Sequence, residues 1–227
     1  MLEHFMHYFR VERTVYSTGD FYNDVISQLG GRTYAKGLLR FFRYEDLPDW
    51  MERVKDAFPG IKQEYRLLAF DWLGNIFGVG QNDKGKEVVL VFDLMDDFYF
   101  RSNLDPCEWL DRYIPWNPED HLHLDLYREW YNRTKQPLRF QDAVSLKTPL
   151  DYGGELNMDN LELCDMDVYW AVFTAFRNWK EGLENRRKRQ AEEEAEAEAE
   201  EKAEEEAKAK AKAEAKAEAE AKEKTEN

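Results

Sequence analysis

Cysteine is scarce in this chain of 227 residues: only Cys107 and Cys164 occur, far apart and outside any CxxC pairing. That weighs against a disulfide framework and points to a reducing compartment. No stretch approaches the roughly 18–20 apolar residues needed to span a bilayer, so no membrane partner is expected. The amino-terminal MLEHFMHYFRVERT lacks the apolar run of a secretory signal, and the expectation is a cytoplasmic protein. Clustered basic charge is also in short supply. The formal charge is −15, which argues against a nucleic-acid partner, whose phosphates are held by grouped Lys and Arg. The one basic island, KEGLENRRKR at Lys180–Arg189, reads as the cation-favouring end of a helix.

What the chain has instead is aromatic bulk: seven Trp, twelve Tyr and fourteen Phe. These stop before the C-terminal stretch. Residues 191–227 hold thirteen Ala, fifteen Glu and seven Lys, with one Thr and one Asn, and nothing there can fill a core. The tail therefore carries −8 and residues 1–190 carry −7. The expected organisation is one globular domain over residues 1–188 and a low-complexity tail over 189–227. Glu–Lys pairs spaced i,i+4, such as Glu198 with Lys202, favour a helix in the tail. It has no apolar heptad seam, so it reads as a charged helix or a disordered spacer, not a coiled coil.

Within the globular part, Asp20 is placed to cap a helix over Phe21–Leu29, and Asp46 with Pro48 opens a second, ended by Pro59-Gly60. Tyr65–Trp72, Asn75–Gly80 and Val88–Phe92 read as an antiparallel meander, with a turn at Asn82-Asp83-Lys84-Gly85 and a further strand at Phe98–Arg101. Asp105-Pro106 starts a helix, and Asn117-Pro118 starts another that runs through His121 and His123 to Trp130. Leu161–Leu163 is extended, and Asp165 caps a last helix with Val168, Val172, Ala175, Phe176 and Trp179 at helical spacing as its inward stripe. Strands in the middle and helices on either side define an α+β class.

No catalytic residue, metal site or cofactor is assigned. His4 and His7, and the cluster Asp120, His121, His123 and Asp125, read as surface residues without converging ligand geometry. GNIFGVG from Gly74 is superficially like a phosphate loop, but a strand follows it where such a loop needs a helix. Cys164 precedes a helix start, where thiolates are stabilised, but it reads as a small buried apolar residue.

Two segments are the most distinctive: FDWLGNIFG at Phe70–Gly78 and NLELCDMDVYW at Asn160–Trp170. With GGRTYAKGLLRFF, LVFDL and TPLDYGG, over roughly residues 30–180, they resemble a group of bacterial immunity proteins related to those of type VI secretion effectors carrying a GAD-like domain. More loosely, they resemble the SUKH superfamily of Smi-type immunity proteins. Asp151 and Tyr152 depart from the apolar residues of that pattern, and the alanine-glutamate tail is no part of it. The resemblance implies a non-enzymatic protein that binds and neutralises a cognate toxin or effector. An acidic face complementary to a basic cleft would speed that encounter. Candidates for it are Asp93, Asp96, Asp97, Glu155, Asp159 and Glu162, with Tyr99 and Tyr152 as aromatic anchors. The resemblance does not single out these positions. Two other readings remain open: a regulatory or structural adaptor working through the charged C-terminal helix, and a hydrolase whose cleft the sequence does not reveal.

Overall fold

The computed structural model describes residues 1–12, 14–96 and 98–225; beyond Glu200 it describes the side chains of Lys202, Ala203 and Lys208 only. The architecture is α+β. Six strands, β1 (Thr33–Tyr34), β2 (Leu39–Phe41), β3 (Tyr65–Asp71), β4 (Ile76–Gln81), β5 (Glu87–Asp93) and β6 (Phe98–Arg101), form an antiparallel sheet in sequence order. α1 (Glu3–Tyr8), α2 (Phe21–Leu29) and α3 (Leu47–Ala57) precede or interrupt it. The central strands β3, β4 and β5 are buried almost throughout, which is why they read as continuous apolar runs, not alternating ones. Gly78 and Gly80 lie inside β4, so the glycine-rich run is sheet; a Cβ on Gly78 would stand 2.9 Å from the Arg66 carbonyl oxygen.

The Asp20 carboxylate caps α2 by accepting from the Asn23 amide. Asp46, in contrast, makes no capping bond: it ends a 3₁₀ turn at Tyr44–Asp46, and its carboxylate faces Arg43 at 3.8 Å. After β6, Asp105 caps α4 (Pro106–Glu108) through the amides of Cys107 and Glu108. A π turn at Trp109–Tyr113 then leads into α5 (Ile114–Trp116). Pro115 explains the widening, because it has no N–H to offer the Asp111 carbonyl and its ring crowds that position.

The helix expected across His121 and His123 is two. α6 (Pro118–Leu122) stops at His123, whose φ is 44°, and α7 (Leu124–Thr134) starts again. This left-handed residue turns Leu122, Leu124, Tyr127 and Trp130 into the core together. A two-stranded sheet of β7 (Asp142–Leu146) and β8 (Leu161–Asp165) follows, and Asp165 caps α8 (Met166–Thr225) through the amides of Asp167 and Val168.

The inward stripe expected on α8 is corrected by the structure. Val168, Val172 and Trp179 are exposed, whereas Met166 and Trp170 are buried. The core reads the helix on the face of Trp170, two residues and so about 200° around the helix from Val168. Among the described residues the tail belongs to α8 (Met166–Thr225). Chain contacts define two units, Met1–Ala175 and Phe176–Asn227. Among the described residues no helix is long and apolar enough to cross a membrane.

Candidate functional site

The two distinctive segments meet. The β3–β4 turn is built on Asp71, whose Oδ1 accepts from the amides of Leu73 and Asn75 and whose Oδ2 accepts from Asn75 Nδ2. Gly74 completes the turn with φ at 85° and leaves room for the Tyr169 ring, which a Cβ there would meet at 3.3 Å. Trp170, fully buried, donates its indole N–H to the Gly74 carbonyl at 3.0 Å, across 96 residues of sequence. Trp72 next to the turn donates to the Leu122 carbonyl, and its own carbonyl accepts from the Val144 amide. The turn thereby joins β7, α6 and α8 to the sheet.

Beneath it lies Arg40, a fully buried cation on β2 that sequence reading missed. Its guanidinium donates to the carbonyls of Asp71, Asp142, Arg139 and Phe140 and sits 4.5 Å from the Phe70 ring centre. Burial lowers its pKa to about 10, still far enough above neutral to keep it charged. Burial pushes Asp71 up to about 7, against the opposing pull of the Asn75 donors. Asp142 is held below the usual carboxylate range: burial acts to raise it, and the hydrogen bonds and charge of Arg139 overcome that effect. This Arg40–Asp71–Asp142 cluster is enclosed, so it is a structural tie between the two sheets and not a place for substrate.

The residues chosen for partner binding fall into two groups. Asp93, Asp96 and Tyr99 lie at the β5–β6 connection; Asp97 lies outside the described residues. Asp93 is half-buried, and its Oδ1 accepts from the amides of Met95 and Asp96, so it shapes the turn. Burial raises its pKa. Asp96 is exposed, and Tyr99, 40% exposed, packs its ring on Phe58 and Phe92. The second group, Tyr152, Glu155, Asp159 and Glu162, is exposed along the segment leading into and along β8. Asn157 and Asn160 brace that segment through hydrogen bonds to Glu155, Asp159 and Thr148. Asp159 is paired with Arg133 at 3.1 Å, which leaves Glu155 and Glu162 as its less encumbered charges. Sequence reading passed over Phe98, exposed at 42% beside Tyr99; its place at the sheet edge is the missing signal.

Other chemistry is disposed as follows. Burial raises both cysteine thiols, and Cys164 Sγ lies 3.4 Å from the Ala143 carbonyl, the environment of a packed thiol and not an activated one. His121 is not a surface residue. It is held among the rings of Phe77, Phe100, Trp109 and Tyr113, and burial lowers its pKa. Among the described residues no group of three or more His, Cys, Asp or Glu is arranged to hold a metal. An open groove of about 770 Å³ runs between the end of α3 and the start of β3, with Lys55, Lys62 and Arg66 on its walls.

No family model matches the chain, and no curated protein matches it. Among solved structures it is similar to Atu4351 from Agrobacterium tumefaciens, with a TM-score of 0.54 and 16% sequence identity. The match covers 77% of this chain and 88% of that one. At that identity the likeness speaks for the shared fold alone.

Proposed function

We propose that the chain is an immunity-type binding protein that neutralises a secreted toxin or effector by direct contact, without turnover. The observation that carries this reading is a braced surface of exposed acids and aromatics. Asp96 and Tyr99 stand at the β5–β6 turn, and Tyr152, Glu155 and Glu162 stand on the segment pinned by Asn157 and Asn160. Rigid loops lower the ordering cost of binding, and a net charge of −15 favours encounter with a basic partner. The type VI resemblance in the sequence points to the same class of partner.

The test is binding to the secreted protein encoded beside this chain's gene, by calorimetry at two salt concentrations. A complex that weakens as salt rises supports the proposal. Absence of a complex, or turnover of a small molecule abolished by one carboxylate substitution, refutes it.

The 60-residue span of α8 supports a second reading, an adaptor that uses its charged helix. Deleting residues 191–227 separates the two, because an adaptor loses its partner and an immunity protein keeps it.

A further inference from the structure

β6 closes one end of the six-stranded sheet and, among the described residues, pairs only with β5. The Ser102 amide donates to the Val89 carbonyl, and the register pairs Val91 with Phe100 and Asp93 with Phe98. In an antiparallel ladder, successive residues turn their backbone groups to opposite sides. Phe98, Phe100 and Ser102 therefore face β5, and the N–H and C=O of Tyr99 and Arg101 face away from the sheet. Among the described residues no hydrogen bond reaches those four groups.

The edge is open to solvent. Phe98 is 42% and Tyr99 is 40% exposed, on opposite faces of the strand, and Arg101 is exposed as well. The other end of the sheet is different: β1 is only two residues long and runs directly into left-handed residues at Ala35 and Lys36. Natural sheets shield an open edge with charge, a bulge or a cover, because unpaired backbone groups template another strand. Among the described residues no strand pairs with the outer edge of β6, which carries two exposed aromatic side chains.

Resting on the partner-binding reading above, we propose that β6 is a docking edge. It accepts an extended, basic segment of the partner protein as a seventh strand, through the outward backbone groups of Tyr99 and Arg101. Charge selects the occupant. Asp96 flanks the start of the edge, and Asp83, largely exposed and 2.9 Å from Arg101, flanks its end. A strand bearing Lys or Arg meets Asp96 at one end, while Asp83 at the other is already held by Arg101. A second copy of this chain would bring another −15 and the same acids, which oppose each other. Phe98 and Tyr99 then supply side-chain contact above and below the added strand, as in other cases of strand addition.

Substitution at Arg101 isolates the backbone groups. Arg101→Pro removes one outward N–H and leaves the β5 ladder intact, a position where an edge strand tolerates proline. Arg101→Thr keeps that N–H while losing the same ion pair with Asp83. The full chain and both variants are titrated with the secreted protein encoded beside the gene, and amide exchange is followed in the free and bound full chain. Docking at β6 predicts that Arg101→Pro binds about tenfold or more weaker, that Arg101→Thr stays within about threefold, and that the Tyr99 and Arg101 amides become protected. Equal binding by the two variants, or unprotected amides in a complex that does form, overturns the docking edge and leaves the partner-binding reading standing. No complex with the unaltered chain overturns both. A free chain that is already dimeric with these two amides protected assigns the edge to a second copy and overturns the proposal. Should Arg101→Pro fail to fold by circular dichroism, the exchange measurement on the unaltered chain decides alone.

Discussion

Replacing Arg40 by Met tests whether the two sheets are tied together from beneath the β3–β4 turn. The guanidinium serves four carbonyls, of Asp71, Asp142, Arg139 and Phe140, and is closed off from solvent. Methionine matches its apolar stem and Phe70 contact but takes the donor from the Phe140 and Asp142 carbonyls, while those of Asp71 and Arg139 keep the amides of Gly74 and Asp142. A buried acceptor left unpaired costs about 1–3 kcal/mol. With two such acceptors, and the desolvation that the lost cation no longer incurs set against them, the expected loss is about 3–5 kcal/mol. Against a total stability of about 5–15 kcal/mol, the expected loss of about 3–5 is a large share. Urea denaturation followed by Trp fluorescence reads it as a drop in midpoint with little change in slope. Arg40→Lys should recover only part of the loss, since an ammonium cannot reach four carbonyls arranged around a planar fork. A loss under about 1 kcal/mol for Arg40→Met would refute the reasoning, because it would mean those carbonyls find other partners.

Asp71, raised to about 7, keeps its proton in the folded chain over a range where the unfolded chain has lost it. Its contribution is therefore full below about pH 4 and falls as pH rises toward about 7. Asn75 Oδ1 is buried without a partner, so a turned amide would accept from a protonated Asp71 or from an Asn at that position. Asp71→Asn should flatten this decline in denaturation series across pH 4–8; an unchanged slope would sink the assignment. His121 titrates in the opposite sense, since its lowered pKa keeps it neutral when folded. Its stabilisation is complete above the unfolded value near 6.5 and fades as pH falls below it, a fade that His121→Phe should abolish in the same series. Trp170→Phe removes the donor to the Gly74 carbonyl and part of a fully buried ring, and should cost about 2–3 kcal/mol in urea; a neutral outcome would deny that the two distinctive segments hold each other.

Much of the fold was legible because it is written locally. The caps at Asp20, Asp105 and Asp165, the turn at Asn82–Gly85 and the apolar runs of β3 to β5 each depend on residues within a few positions. The misreadings share the opposite property. Whether α8 buries Trp170 or the Val168–Val172 line is decided by a turn 96 residues earlier. Arg40 looks like an ordinary surface cation until carbonyls about 100 residues downstream are placed around it. His123 breaks a helix that its neighbours favour, since tertiary burial of Leu122 and Leu124 outweighs helix propensity. Of the candidate surface, composition marked the acids and aromatics. It did not show that Asp93 is spent on its own turn, that Asp159 is paired, or that Phe98 and Tyr99 straddle an open edge.

The bond from Trp170 to Gly74 also sets an order of events in synthesis. The meander can collapse as soon as it leaves the ribosome, but its central hairpin stays unlatched until nearly a hundred further residues have been made. During that interval β3 to β5, the most apolar strands of the chain, wait without their final cover. The charged end of the polypeptide, downstream of α8's first turns, is made after Trp170 and so is being added while the apolar middle is still to be sealed.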